Sequence, residues 1–331
     1  LPSTVNSALL IRAYQEMALV RAFDQKAIAL QRTGKLGTYP SVLGQEAIGI
    51  AIGLAMGPND VFVPYYRDHA TQYLRGVSFT EMLQYWGGDE RGSNYKNGNE
   101  DMPVCVPIAT QFCHAAGIAS AFKIRGEKRA SVVTGGDGST SKGDFLESLN
   151  LSGVWQLPMI MVINNNQWAI STRREVQSHG ETLAQKAIAA GIPGVQVDGN
   201  DVVSLYDAML TALDRAHSGK GPTLIEAVSY RLSDHTTADD ATRYRSNDEL
   251  KKGWDLEPVK RLREYLLAQQ LWSPEQETTL QADIKQQIDQ SVQRYLDIQP
   301  EPASAMFDHL FESLPAPMQT QYDQLNRTHP S

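Results

Sequence analysis

Cysteine is nearly absent. Cys105 and Cys113 are the only two in 331 residues, too few and too irregularly spaced for a disulfide framework, a structural zinc site or a Cys-x-x-Cys redox pair. Both are expected to be buried thiols, the usual fate of free cysteine. Long apolar runs are missing too: no stretch reaches the roughly 18 uninterrupted apolar residues of a membrane-spanning helix, so no membrane association is expected. The first residues lack the charged-then-apolar pattern of a secretory signal, and cytoplasmic residence is the expectation. Basic residues are in deficit, with 30 Lys and Arg against 38 Asp and Glu and a formal net charge of −8. No basic cluster stands out, which argues against a nucleic-acid partner, since phosphate backbones are bound through excess lysine and arginine. Internal repeats and low-complexity tracts are also lacking. What remains, 41% hydrophobic and 21% charged, is the composition of an ordinary globular protein with a substantial core.

Apolar positions Leu9, Leu10, Tyr14, Met17, Val20, Phe23, Ile28 and Leu30 recur at helical spacing and stop before Gly34, which predicts an N-terminal helical arm over residues 1–43. From 44 to 245, apolar runs at Val61–Val63, Ser131–Thr134, Met159–Ile163, Val195–Val197 and Thr223–Val228 alternate with helical stretches. Such alternation predicts an α/β fold, a parallel sheet with helices on both faces. The helix over Gly143–Gln156 is expected to present Phe145, Leu146, Leu149 and Trp155 on one side. Residues 246–331 read as a C-terminal helical extension packed on the same domain. In it, Ser273-Pro274-Glu275-Gln276 has the chemistry of a helix start, and Leu280, Ile284, Ile288 and Val292 form a narrow stripe. A last apolar cluster follows at Met306, Phe307, Leu310 and Phe311.

Two positions carry the chemistry. Gly136-Asp137-Gly138 closes one apolar run, and Asn166, 29 positions after the aspartate, closes the next. A right-handed crossover brings both strand ends to one edge of a parallel sheet. There Asp137 offers an anionic oxygen and Asn166 a neutral carbonyl, and the glycines let backbone N–H groups approach phosphate oxygens. Oxygen ligands of this kind suit Mg²⁺ shared with a phosphate. The dinucleotide fingerprint fails for want of its third glycine, and the P-loop spacing of Gly138 to Gly143 is followed by Asp144 rather than lysine. A plain turn, with Asp137 capping a helix, stays open for the glycines but leaves Asn166 unexplained. Arg67, in Tyr66-Arg67-Asp68-His69 after an apolar run and a proline, has a planar fork suited to a diphosphate. The lone His69 fits a hydrogen-bonded structural group better than a catalyst. His235 lies in Asp234–Arg245, a polar stretch without apolar periodicity that reads as an exposed, mobile loop.

Taken together, Gly136–Asp144 through Asn164–Thr172 resemble the thiamine diphosphate motif of the 2-oxo acid dehydrogenases, in the alpha subunit of their decarboxylating first component. The ordered set Arg32–Tyr39, Gly44-Gln45-Glu46-Ala47, Tyr66–His69, Gly191–Gly199 and His235–Asp240 extends the resemblance over roughly residues 10 to 270. The resemblance implies a thiamine diphosphate-binding fold with thiamine diphosphate and Mg²⁺ as cofactors. It implies metal ligation by Asp137, Asn166 and the main-chain carbonyl of Trp168, and cofactor contacts from Tyr66, Arg67, Ile108, Gly136, Gly138, Ser139, Asn166 and Ile170, the last as a wedge that bends the cofactor. His235 is implied at the diphosphate end, as the catalytic donor. Thr110 and Gln111 fall where branched-chain members place a potassium-binding turn. Thr236 stands at a position phosphorylated in animal relatives, a regulation not expected here.

Thiamine diphosphate is activated when a glutamate protonates its pyrimidine ring, and no candidate for that glutamate is evident in this chain. The resemblance therefore implies a site completed by a beta subunit, in a heterotetramer of two alpha and two beta chains. The implied reaction is oxidative decarboxylation of pyruvate with acyl transfer to the lipoyl arm of an acyltransferase component. A branched-chain 2-oxo acid such as 3-methyl-2-oxobutanoate is the alternative substrate, and acetoin dehydrogenase the more distant alternative.

Overall fold

The computed structural model describes residues 2, 4–97 and 100–328. Five strands, β1 (Val61–Val63), β2 (Ser131–Gly136), β3 (Met159–Asn165), β6 (Gly194–Asp198) and β7 (Thr223–Val228), form one parallel sheet in the order β1-β2-β3-β7-β6. Between β3 and β6, a two-stranded antiparallel ribbon pairs β4 (Trp168–Ala169) with β5 (Thr172–Arg173). The central strands are Val- and Ile-rich on both sides because both faces of the sheet are covered.

Successive residues of a strand point to opposite faces, and the core divides accordingly. Val132, Ile160, Val162 and Ile225 pack on one face against the helices Ser7–Arg32, Glu46–Ala55, Val202–His217 and Pro258–Ala268. Val133, Met159, Met161 and Leu224 pack on the other against Thr110–Arg125 and Gly143–Val154. Each fully buried aliphatic side chain here contributes about 1.5–3 kcal/mol relative to exposure. Val162→Asp would instead place an unpaired charge in the helix-covered core of that first face and unfold the domain.

Two units are distinguished, residues 1–292 and residues 293–331. In the first, the arm helix starts at Asn6, whose side chain accepts from Leu9 N at 2.9 Å, and stops where Gly34 adopts φ +71°. It buries Leu10, Tyr14, Met17 and Val20 in the sheet's own core, and Arg21 bridges Glu46 at 2.8 Å and Glu257 at 2.7 Å. The Ser273 start is a reciprocal capping box: Gln276 N donates to Ser273 Oγ at 3.2 Å and Ser273 N to Gln276 Oε1 at 2.9 Å. The stripe of that helix, Pro274–Leu296, is buried at Ile284, Ile288 and Val292. In the second unit, Phe307 packs edge-on against Tyr322 of the helix Ala316–Thr328.

Several expectations fail. Leu146 and Trp155 are 47% and 50% exposed, because the helix that carries them buries only the narrower face of Phe145, Ser148, Leu149 and Ser152. Cys113 is exposed, on the solvent side of a helix whose inner face is Phe112, Ala115, Ala116 and Ala119, and Cys105 is partly exposed. No helix among the described residues is long and apolar enough to cross a membrane.

Candidate active site

Ligands of open α/β sheets bind outside the carboxyl ends of the strands, and here β2 and β3 end at the mouth of a cavity of about 670 Å³. All eleven residues singled out from the sequence, Tyr66, Arg67, Ile108, Gly136, Asp137, Gly138, Ser139, Asn166, Trp168, Ile170 and His235, line this one cavity, and so do Gln111 and Thr236. Thr110, at the start of the helix behind Gln111, is not in the lining.

The chain after β2 tightens into a 3₁₀ turn, Asp137–Ser141, where Thr140 Oγ1 donates back to Asp137 O at 2.9 Å. Gly138 is required by close approach: a Cβ there would lie 2.7 Å from Ala169 Cβ on the ribbon. Asp137 is 3% exposed, and burial pushes its carboxyl up to about 6 against the opposing pull of a hydrogen bond from Gln177 Nε2 at 2.9 Å and of Arg231 and Arg174. It is the one carboxylate among the described residues that line the cavity. Asn166 donates Nδ2–H to Gln45 Oε1 at 2.8 Å, which fixes its amide so that Oδ1 faces Trp168 N at 3.2 Å.

The main chain around these groups is held in the left-handed region at three non-glycine residues, Ala109 (φ 71°), Gln167 (φ 72°) and Ile170 (φ 54°), each costing on the order of 1–2 kcal/mol. Val106, Ile108 and Ile170 remain about half exposed, giving the wall bare apolar surface. Gln111 donates Nε2–H to Thr134 O at 2.9 Å, while its buried Oε1 has no partner. An orphaned acceptor of this kind is costly unless a ligand satisfies it.

A cationic cluster faces the turn. Arg67, buried over the Tyr66 ring, donates to Ser41 O and, at 2.9 Å, to His235 O. Arg231, fully buried, donates to Trp168 O at 3.1 Å, Ile170 O at 2.9 Å and Tyr244 Oη at 2.8 Å. Both guanidinium groups lie 3.4 Å from His235 Nδ1. Burial, and then the charges of Arg67 and Arg231, depress the imidazole to about 3. The ring is therefore neutral, with Nδ1 as acceptor and the proton on Nε2. His69, also buried and held near 3 by burial and by Arg67, begins the helix His69–Leu74 and does not line the cavity.

Three contributors were not anticipated. Arg231 hides in the sequence as a strand-end residue after Tyr230, four positions before His235, and the only signal for it is a charge beside a buried run. Gln177 comes from the short helix after the ribbon, and Gln45 reaches Asn166 from 121 positions away. The loop of His235 is also less exposed than expected. Ala241 is buried, Tyr244 Oη donates to Asp239, Arg245 donates to Arg231 O, and His235 N donates to Asp239 Oδ2 at 2.8 Å. Its anchor is polar, which apolar periodicity does not register.

The sequence profile of the family described as dehydrogenase E1 component matches residues 14–303. The chain is 37% identical over 311 residues to the pyruvate dehydrogenase E1 component subunit alpha of Mycoplasma genitalium, spanning 94% of this chain and 87% of that protein. It is 36% identical over 315 residues to the protein of the same name from Staphylococcus epidermidis and 37% identical to that from Staphylococcus aureus, each spanning 95% of this chain and 85% of the relative.

Proposed function

Because the chain belongs to the dehydrogenase E1 component family, we propose that it is the alpha subunit of a pyruvate dehydrogenase, holding thiamine diphosphate and Mg²⁺ in the cavity beyond β2 and β3. The observation that carries this reading is the convergence there of one buried carboxylate, one oriented amide oxygen and the guanidinium of Arg67, which forms no salt bridge among the described residues, with Arg231 next to it across His235. Such a site offers hard oxygen donors to a divalent cation and guanidinium forks to a diphosphate. The residues fit the group. Asp137 is a carboxylate whose burial is uncompensated by any salt bridge, Gln111 Oε1 awaits a donor, and Gly138 keeps the turn close to the ribbon.

Asp137, Asn166 and the carbonyl of Trp168 would hold the metal, with Gly136, Gly138, Ser139, Tyr66, Arg67 and His235 around the diphosphate, and Ile108 and Ile170 against the rings. When bound, thiamine diphosphate would supply a nucleophilic thiazolium carbon and a cationic ring able to take up the electrons released by decarboxylation. Neutral His235 donates through Nε2 to a phosphate or carboxylate oxygen, and Arg67 and Arg231 keep that proton in place by occupying Nδ1. The apolar wall of Val106, Ile108 and Ile170 lowers the local dielectric, strengthening those interactions. Proton transfer at the pyrimidine falls to a beta subunit, within a heterotetramer of two alpha and two beta chains that passes the acyl group to a lipoyl acyltransferase. Within the chain, residues 44–245 form the diphosphate-binding portion, with 1–43 and 246–331 as extensions. Calorimetry of the chain with thiamine diphosphate and Mg²⁺, together with CO₂ release from pyruvate on adding the beta chain, tests this assignment. Substantial decarboxylation by the chain alone, or no Mg²⁺-dependent heat, would overturn it.

A further inference from the structure

Trp86 reaches the cavity wall at the end of a directed hydrogen-bond chain that the proposed cofactor chemistry does not use. Asp24, fully buried, accepts from Tyr39 Oη at 3.0 Å and Val42 N at 2.8 Å on one oxygen and from Ser41 Oγ at 2.5 Å on the other. Since a carboxylate only accepts, Tyr39 spends its proton on Asp24, and its oxygen accepts Nδ1–H of His69 at 3.2 Å. His69 is left with Nε2 as acceptor, and Trp86 Nε1–H fills it at 3.0 Å. The rings lock the same order. Tyr39 stacks on His69 at 5.0 Å and 13°, and Trp86 stands edge-on to both at about 6 Å. Behind Trp86, Gly37 N donates to its carbonyl at 2.9 Å, and any Cβ at position 37 would lie 2.6 Å from that oxygen.

We propose that Trp86 is a specificity-determining residue of this enzyme, a fixed wall limiting the size of the hydrocarbon substituent on the 2-oxo acid, with Tyr39 and His69 as its positioning residues. The inference rests on the function proposed above. Within the cavity lining, Pro40 has no N–H and the indole N–H of Trp86 is taken by His69, so neither side chain offers a donor to a diphosphate or a carboxylate. The one polar atom of the indole is committed to His69, so Trp86 offers the cavity only carbon. A rigid aromatic wall discriminates by volume: an added methyl or methylene that meets it costs about tenfold or more in kcat/KM.

The test uses the full chain assembled with its beta subunit, comparing kcat/KM for 3-methyl-2-oxobutanoate and for pyruvate. Trp86→Leu is expected to raise that ratio about tenfold or more, and Trp86→Phe, which keeps a ring but loses the N–H, to raise it less. Tyr39→Phe cuts the chain without changing its volume much. It is expected to move the ratio a fewfold in the same direction while calorimetric affinity for thiamine diphosphate stays at the wild-type value. An unmoved ratio in Trp86→Leu overturns the inference, as does a Tyr39→Phe protein that loses cofactor affinity and keeps its ratio. If Trp86→Leu does not fold, the Trp86→Phe ratio decides alone. A wild-type assembly that turns over neither acid overturns the proposed function and this inference with it, whereas an active one with unmoved ratios overturns this inference only.

Discussion

Asp137→Asn is expected to make the ligand-free chain more stable while removing its metal site. The carboxyl is held at about 6 in the folded chain against 3.8 for the free side chain. Below pH 3.8 it is protonated in both states and contributes nothing. Between 3.8 and 6 the unfolded chain releases its proton first, so stability falls as pH rises, and above 6 the loss is complete. One pKa unit is about 1.4 kcal/mol, so the aspartate costs about 3 kcal/mol at pH 8 but only about 1 kcal/mol at pH 4.5. The amide keeps most of the shape, and a weakened bond to Gln177 returns about 1 kcal/mol. The net gain at pH 8 is then about 2 kcal/mol, or roughly 3 °C in Tm for a unit of this size. Thermal melts of both proteins at pH 8 and 4.5, with calorimetric titration of thiamine diphosphate and Mg²⁺, read both halves. A variant that melts at or below wild type at pH 8, or that still binds the cofactor in a Mg²⁺-dependent way, would refute the role assigned to Asp137.

Arg231→Met should destabilise the chain by about 1–3 kcal/mol, since it strands the carbonyls of Trp168 and Ile170; urea unfolding measures it, and a loss under 1 kcal/mol would contradict those contacts. His69 is neutral in the fold and protonates near 3 rather than 6.5. Its contribution is therefore present above pH 6.5 and is lost as pH falls from 6.5 toward 3, so His69→Gln should flatten the decline of urea midpoints between pH 7 and 5. An unchanged slope would show that the imidazole does not set it. Gly138→Ala, whose methyl meets Ala169 at 2.7 Å, should cost about 1–3 kcal/mol by overpacking and weaken thiamine diphosphate binding; wild-type calorimetry would show that the turn does not need to sit so close.

Four of the sheet strands were legible because buried parallel strands are written as apolar runs, the exposed edge strand β6 through Val195 and Val197 on either side of Gln196, and Ser273–Gln276 because capping is local chemistry. The pair Asp137 and Asn166, proposed above to hold the metal, was legible as the ends of two such runs. Side chains that converge through the fold were not: Gln177 and Arg231 belong to segments with no distinctive local pattern, and the motif that contains Gln45 gives no sign of its partner Asn166. The ribbon of β4 and β5 is two residues per strand, too short for periodicity. The helix Ala316–Thr328 buries no residue, so no apolar stripe announced it. Leu146 and Trp155 misled because helical spacing gives a face but not its partner.

The guanidinium of Arg231 touches two things at once: the ribbon carbonyls beside Asn166 and, through Tyr244 and Asp239, the polar loop of His235. Free-energy coupling between two such places is reciprocal. A cation seated on Trp168 O would repel Arg231 and be felt at Tyr244, and a partner that grips the loop must alter, by the same factor, how tightly the cation is held. Occupancy of the proposed site would in this way be felt outside the cavity, at the loop that carries His235.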